Sequence, residues 1–169
     1  YSGPITISKT TVVRAAAFKV GYEPTNIDTH SYFFVDDIIR QTSSAPAGWP
    51  RGSVNGQRYE YGMNQSVVNS SNNQIGGVEN TKKSIKSLPA FSVVTDQANL
   101  TSSQTGIYSN PQRDGIAWER ESSIEMIFPP GYEDPYGNKK GFQSPCGLRI
   151  RGGYSRRTQN PKHSFRLFF

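Results

Sequence analysis

The side chains best placed to do chemistry are Arg149, Arg151 and Arg166, in the stretch Gly141 to Phe169. Leu148 and Ile150 alternate with Arg149 and Arg151, while Phe165, Leu167 and Phe169 alternate with Arg166 and Phe168. A period of two predicts strands with one face inward, so the apolar residues go to a core and the three arginines form a cationic face. That face is a candidate contact surface for a polyanion or for a further segment of the same polypeptide. Between the strands, Gly152-Gly153 supplies a sharp exit and Ser155 to Lys162 brings Arg156, Arg157 and Lys162 into a polar loop. The glycine pair could also approach phosphates, although a plain strand-exit turn accounts for it.

Glu119, Glu121 and Glu125 are the carboxylates clustered around the strand that follows Trp118. Their simplest assignment is pairing with Arg120, Arg149 or Arg151 across strands. An acid/base pair needs a definite separation around a substrate, which spacing in sequence does not supply. The single cysteine, Cys146, cannot close an internal disulfide, has no Cys or His at metal-ligand spacing, and reads as a small strand residue. No catalytic or metal site is therefore assigned. Asn64-Gln65-Ser66, Asn69-Ser70-Ser71 and Asn99-Leu100-Thr101 match the glycosylation sequon, a triplet common in Asn/Ser-rich sequence.

A net charge of +6 and a pI near 9.5 would suit an anionic glycan, an acidic surface or a nucleic acid. No nucleic-acid-binding motif accompanies the cations, and half of them sit at alternate strand positions, so nucleic acid is not expected as a partner. No apolar run is long enough to span a bilayer as a helix. The wealth of Tyr, Phe, Thr, Ser, Asn and Gly, with short alternating runs, predicts a mainly β fold with little helix.

Three segments are expected: 1–36, a docked linker at 37–87, and a β-rich region at 88–169. The first holds three alternating runs, Ile5 to Ser8, Val12 to Phe18 and Thr29 to Val35. Three strands fall short of a sandwich, which takes about seven strands and about 100 residues. Phe18, Tyr32, Phe33 and Phe34 read as its core. The linker is rich in Gly, Pro, Ser and Asn, with Trp49, Tyr59, Tyr61 and Met63 as apolar anchors. Thr81 to Leu88 predicts a short helix with Ile85 and Leu88 on one side and Lys82, Lys83 and Lys86 on the other. In the last segment Ala90–Thr95 is a strand and Asp96–Asn99 an Asx turn. Trp118 is expected as a core anchor, followed by a strand to Phe128 and an acidic turn at Glu133 to Asn138.

YSGPITIS, TTVVRAAAFKVGYEPTN and SYFFV together resemble the last third of a chitobiase/β-hexosaminidase C-terminal-type domain, an immunoglobulin-like module. LPAFSVVTDQANL, TGIYSNPQRDGIAWERESSIEMIF, GFQSPCGLRIRGGYSRR and PKHSFRLFF resemble, in order, the N-terminal portion of the spore-coat-protein-H-like (CotH-like) kinase family. That likeness covers about residues 46 to 169, the connector pieces Gly48-Trp49-Pro50 and Tyr61-Gly62-Met63-Asn64 included.

The resemblance implies partial immunoglobulin-like β-sandwich strands, a linker, and the β-rich N-terminal part of an atypical kinase-like domain. It implies a fragment of a large extracytoplasmic, secreted or cell-surface protein, whose complete parent would phosphorylate Ser/Thr with ATP and Mg. Phosphoryl transfer needs metal-binding carboxylates and a residue that orients the nucleophile. The family's acidic segments would fall beyond Phe169, so no catalytic residue carries over, no cofactor is expected in this chain, and the chain alone is expected to be non-catalytic. Its expected partners are the rest of the parent polypeptide and a cell-surface or matrix protein or glycan. A structural or glycan/matrix-binding surface module without kinase activity is the alternative.

Overall fold

The computed structural model describes residues 2–72 and 74–169. The protein is mainly β, with two antiparallel sheets and a few short helices. Strands β1 (Thr11–Ala15) and β2 (Asp28–Tyr32) form a two-stranded sheet. Strands β3 (Ala90–Val94), β4 (Arg120–Ile127), β5 (Gln143–Arg151) and β6 (Ser164–Phe168) form the second, in that order. Helices α1 (Val35–Ile39), α2 (Gln65–Val68), α3 (Val78–Lys86) and α4 (Gln97–Thr101) are all short.

The residues divide into two compact units: Tyr1–Gln41 with Met63–Ser92 and Glu125–Gln143, and Thr42–Gly62 with Val93–Ile124 and Ser144–Phe169. In the first unit, β1 is a β-branched run opposite β2, with Val13 paired to His30 and Val12 to Ser31. Thr29 and Ser31 form the buried face of β2, and the Ser31 hydroxyl shares a 2.7 Å hydrogen bond with that of Ser92. Ile39 and Val68 are the buried apolar residues of α1 and α2. Helix α3 carries Glu79 in its first turn and Lys83 and Lys86 in its last, the arrangement its dipole favours. Lys82 reaches Asp36 at 2.7 Å, and its ammonium holds that carboxyl below the usual aspartate range.

Several expectations for this unit need correction. Ile5 to Ser8 is not a strand, because it finds no ladder partner, and Ile5 is exposed. The run from Thr29 stops at Tyr32, and Val35 opens α1 instead. Phe18, Tyr32, Phe33 and Phe34 are exposed and not core: a two-stranded sheet has no second layer to receive them. Helix α3 begins three residues earlier than the alternation suggested and ends before Leu88, which is exposed.

The second unit has the clearer core. Leu148 is fully buried, Ile150 and Ile107 nearly so, and Val93, Leu100, Tyr108, Trp118 and Leu167 pack around them. Ile107 reaches this position through Gly106, where a Cβ would lie 2.6 Å from the Leu100 carbonyl oxygen and from Ser102 N. Asp96 to Asn99 opens α4 and is not an Asx turn: the Asp96 side chain makes no cap hydrogen bond, and its carbonyl accepts from the Asn99 N–H. Trp118 is only partly buried, packed against the core with Arg113 and Arg120 against its ring at 5.8 and 5.2 Å. A polar network complements the apolar core. Gln57, fully buried, donates from Nε2 to the carbonyls of Arg58 and Asn160, and His163 sets Nε2 2.8 Å from Gln57 Oε1 and Nδ1 2.9 Å from the Ser155 carbonyl. Among the described residues, no helix is long and apolar enough to cross a membrane.

Candidate anion-binding site

The β5–β6 pair positions the site. Its register places Leu148 opposite Leu167, Arg149 opposite Arg166, and Ile150 opposite Phe165. Leu148 and Ile150 therefore enter the core while Arg149, Arg151 and Arg166 share the other face, as their alternation requires. The apolar phase of β6 is less complete: Phe165 is 38% exposed, and Phe169, expected inward, is 82% exposed because the strand ends at Phe168.

After β5 the chain turns at Gly152, whose φ of +118° is a conformation L side chains rarely adopt. A 3-10 turn at Tyr154–Arg156 follows and sends Arg156 back toward the arginine face. Arg156 is then clamped, donating from Nε to the Pro111 carbonyl at 2.7 Å, from one terminal nitrogen to Asp114 Oδ2 at 3.1 Å, and from the other to the Arg113 carbonyl. Asp114 also accepts from the Gly115 N–H at 2.7 Å. That N–H, followed by Arg156, holds the Asp114 carboxyl below the usual aspartate range.

Arg149 is the most committed of the three strand arginines. Its Nε donates to Glu119 Oε2 at 2.8 Å, a terminal nitrogen stands 2.6 Å from the same oxygen, and the guanidinium lies 4.1 Å from the centre of the Phe168 ring. Arg151 and Arg166 have no ion pair or side-chain hydrogen bond among the described residues. Together Arg149, Arg151, Arg156 and Arg166, with Asp114 and Phe168, line a cavity of about 130 Å³. Four guanidiniums against the carboxylates of Asp114 and Glu119 leave a net positive hollow, with two forks ready for an incoming oxyanion.

The carboxylates expected to pair with arginine separate. Glu119 takes Arg149, whereas Glu125 accepts from the Ser31 backbone N–H at 2.7 Å, and Glu121 is exposed. Arg120 donates to the carbonyls of Thr105, Ala117 and Glu119. Cys146 is buried in β5 with its sulfur 3.3 Å from the Ser122 hydroxyl. No cluster of three or more His, Cys, Asp or Glu able to hold a metal occurs among the described residues. Asp114 and Arg156 are the contributors that alternation in the strands did not reveal. Only the Gly152-Gly153 turn hints at them, since a reversal there is what brings Arg156 back.

No family model, curated protein or solved structure matches the chain.

Proposed function

We propose that the chain is the β-rich N-terminal region of a CotH-like domain within a larger extracytoplasmic, cell-surface protein, preceded by the end of a chitobiase C-terminal-type immunoglobulin-like module. The support is the order of four sequence motifs, which fall on β3 and α4, on the Gly106-Ile107 turn with β4, on β5 with the Gly152 turn, and on β6. In this reading residues 1–36, 37–87 and 88–169 correspond to the module end, the linker and the CotH-like region. In this reading the chain itself does no phosphoryl transfer; among the described residues no three His, Cys, Asp or Glu stand together to hold the metal that the reaction uses. It supplies a cationic hollow at which a phosphate-rich polyanion docks. The observation that carries this role is the pair of guanidiniums, Arg151 and Arg166, beside Gly152, with no ion pair or side-chain hydrogen bond among the described residues.

Titration of the chain with inorganic pyrophosphate at low and at near-physiological salt tests the reading. Binding should weaken as salt rises and fall at least tenfold in Arg151→Gln/Arg166→Gln, with no loss of melting temperature. Absence of binding at low salt, or a double variant that binds as well as the parent, would refute the assigned surface. Sustained ATP turnover by the purified chain with magnesium would refute the non-catalytic assignment.

A further inference from the structure

A second cationic cavity lies in the same unit, away from the strand arginines. Residues 50–61 double back at Asn55-Gly56, where φ values of +53° and +80° allow Val54 and Gln57 to exchange backbone hydrogen bonds of 3.0 and 2.9 Å. Both arms are tied down. The Tyr61 hydroxyl donates to the Pro50 carbonyl at 2.8 Å, joining the two ends, and Asn55 Nδ2 donates to the Ser103 carbonyl and to Asn110 Oδ1. Buried Gln57 anchors the base through the Asn160 carbonyl. Such a loop is preformed, so a ligand would lose little affinity to ordering it.

Arg51 on one arm and Arg58 on the other line a cavity of about 230 Å³, with Tyr59, Tyr61, Ser43 and Ser53. Neither arginine has an ion pair or side-chain hydrogen bond among the described residues. The neighbouring carboxylate, Glu60, is already 3.4 Å from Lys162. The tyrosine hydroxyls are committed as well, Tyr61 to Pro50 and Tyr59 to Ser109 at 2.5 Å, and the rings are engaged with Trp49 and Tyr108, so the free polar groups of the cavity are its arginines and serines.

These features select a ligand. Two unpaired guanidiniums ask for an oxyanion that both can reach. The serine hydroxyls ask for hydroxyl groups in return. The volume lies below the roughly 300 to 1,000 Å³ of sites for drug-sized ligands, which suits one ring and not several. A pyranose bearing a carboxylate combines these three properties. We propose that this cavity binds a single hexuronic acid unit, as the terminal or pendant residue of an acidic polysaccharide.

The test uses the whole chain, labelled for amide NMR, with methyl glucuronoside as probe and methyl glucoside and inorganic phosphate as comparators. The glucuronoside should shift amides of residues 50–61, and Arg51→Gln and Arg58→Gln should each weaken it at least tenfold at an unchanged melting temperature. Arg151→Gln, which alters the other cavity, should leave this binding as it was. The assignment fails if methyl glucoside or phosphate shifts the same amides as strongly at equal concentration. It fails equally if the glucuronoside shifts nothing in 50–61, or if Arg51→Gln/Arg58→Gln still binds it.

Discussion

Arg149 and Arg166 stand directly opposite each other across β5 and β6, and among the described residues only Arg149 has an acid, Glu119, to answer its charge. Like charges in a cross-strand pair repel, so the sheet carries a local cost that Glu119 and the Phe168 ring offset on one side only. Arg166→Gln should therefore raise stability by about 0.2 to 1 kcal/mol in urea denaturation. Arg149→Gln should lower it by roughly 1 to 2 kcal/mol, because it leaves a partly buried Glu119 without its cation. Equal effects of the two changes would mean that the asymmetry has no energetic weight.

Glu119 can reach Arg149 because residue 147 is glycine. A Cβ there would lie 2.7 Å from Glu119 Cγ and closer still to its carboxylate, so the carboxylate occupies the space a side chain would need. Gly147→Ala should cost about 1 to 3 kcal/mol by overpacking. In the Glu119→Ala background the same substitution should cost much less, because the obstructing group is gone. Additive losses in this double-mutant cycle would show that the glycine serves the strand backbone and not the ion pair.

How far the sequence exposed this arrangement depended on whether a position answers to its own strand or to a distant contact. Leu148, Ile150, Arg149 and Arg151 obey a two-residue period that the pleat enforces, so the face of each was legible. Ile5 to Ser8 alternates equally well, yet a strand exists only where a partner accepts its backbone hydrogen bonds. The aromatic residues Phe18, Phe33 and Phe34 suggested a core, but burial needs a second layer, which alternation cannot report. Within the site, Arg149, Arg151 and Arg166 followed from period. Arg156 and Asp114 did not, because their meeting depends on the Gly152 turn and on the carbonyls of Pro111 and Arg113.

Leu148 and Trp118, both in the core of the second unit, should separate in their cost. Leu148 is fully buried between β-strand neighbours, and Leu148→Ala should cost about 3 to 5 kcal/mol, the upper range for a leucine with no room to relax. Trp118, larger but only partly buried, keeps part of its indole against Arg113 and Arg120 and loses less when removed. Trp118→Ala should cost roughly 1 to 3 kcal/mol, below the fully buried aromatic range. Denaturant midpoints that rank Trp118→Ala as the more damaging change would place the indole deeper than its contacts imply.

Asp114 gives the arginine face a pH dependence of definite sign. The Gly115 N–H and then Arg156 favour its carboxylate, so its folded pKa lies below the ordinary aspartate value of about 3.9. A depressed folded value means that the unfolded chain takes up the proton first as pH falls. The stabilisation is therefore fully present above the ordinary value and is lost as pH drops through the folded one. Asp114→Ala should accordingly be less stable than the parent at pH 7, and the gap should narrow as both are taken toward pH 2. The same substitution removes a negative charge from the hollow and should tighten pyrophosphate at pH 7, unless Arg156 drifts once its acid is gone. The Pro111 and Arg113 carbonyls hold Arg156 independently of Asp114 and argue that it stays. Parallel pH titrations of stability and of pyrophosphate affinity decide the matter: a stability gap that widens in acid would reverse the assigned sign, and weakened binding would show that Asp114, and not the two carbonyls, holds Arg156 in place.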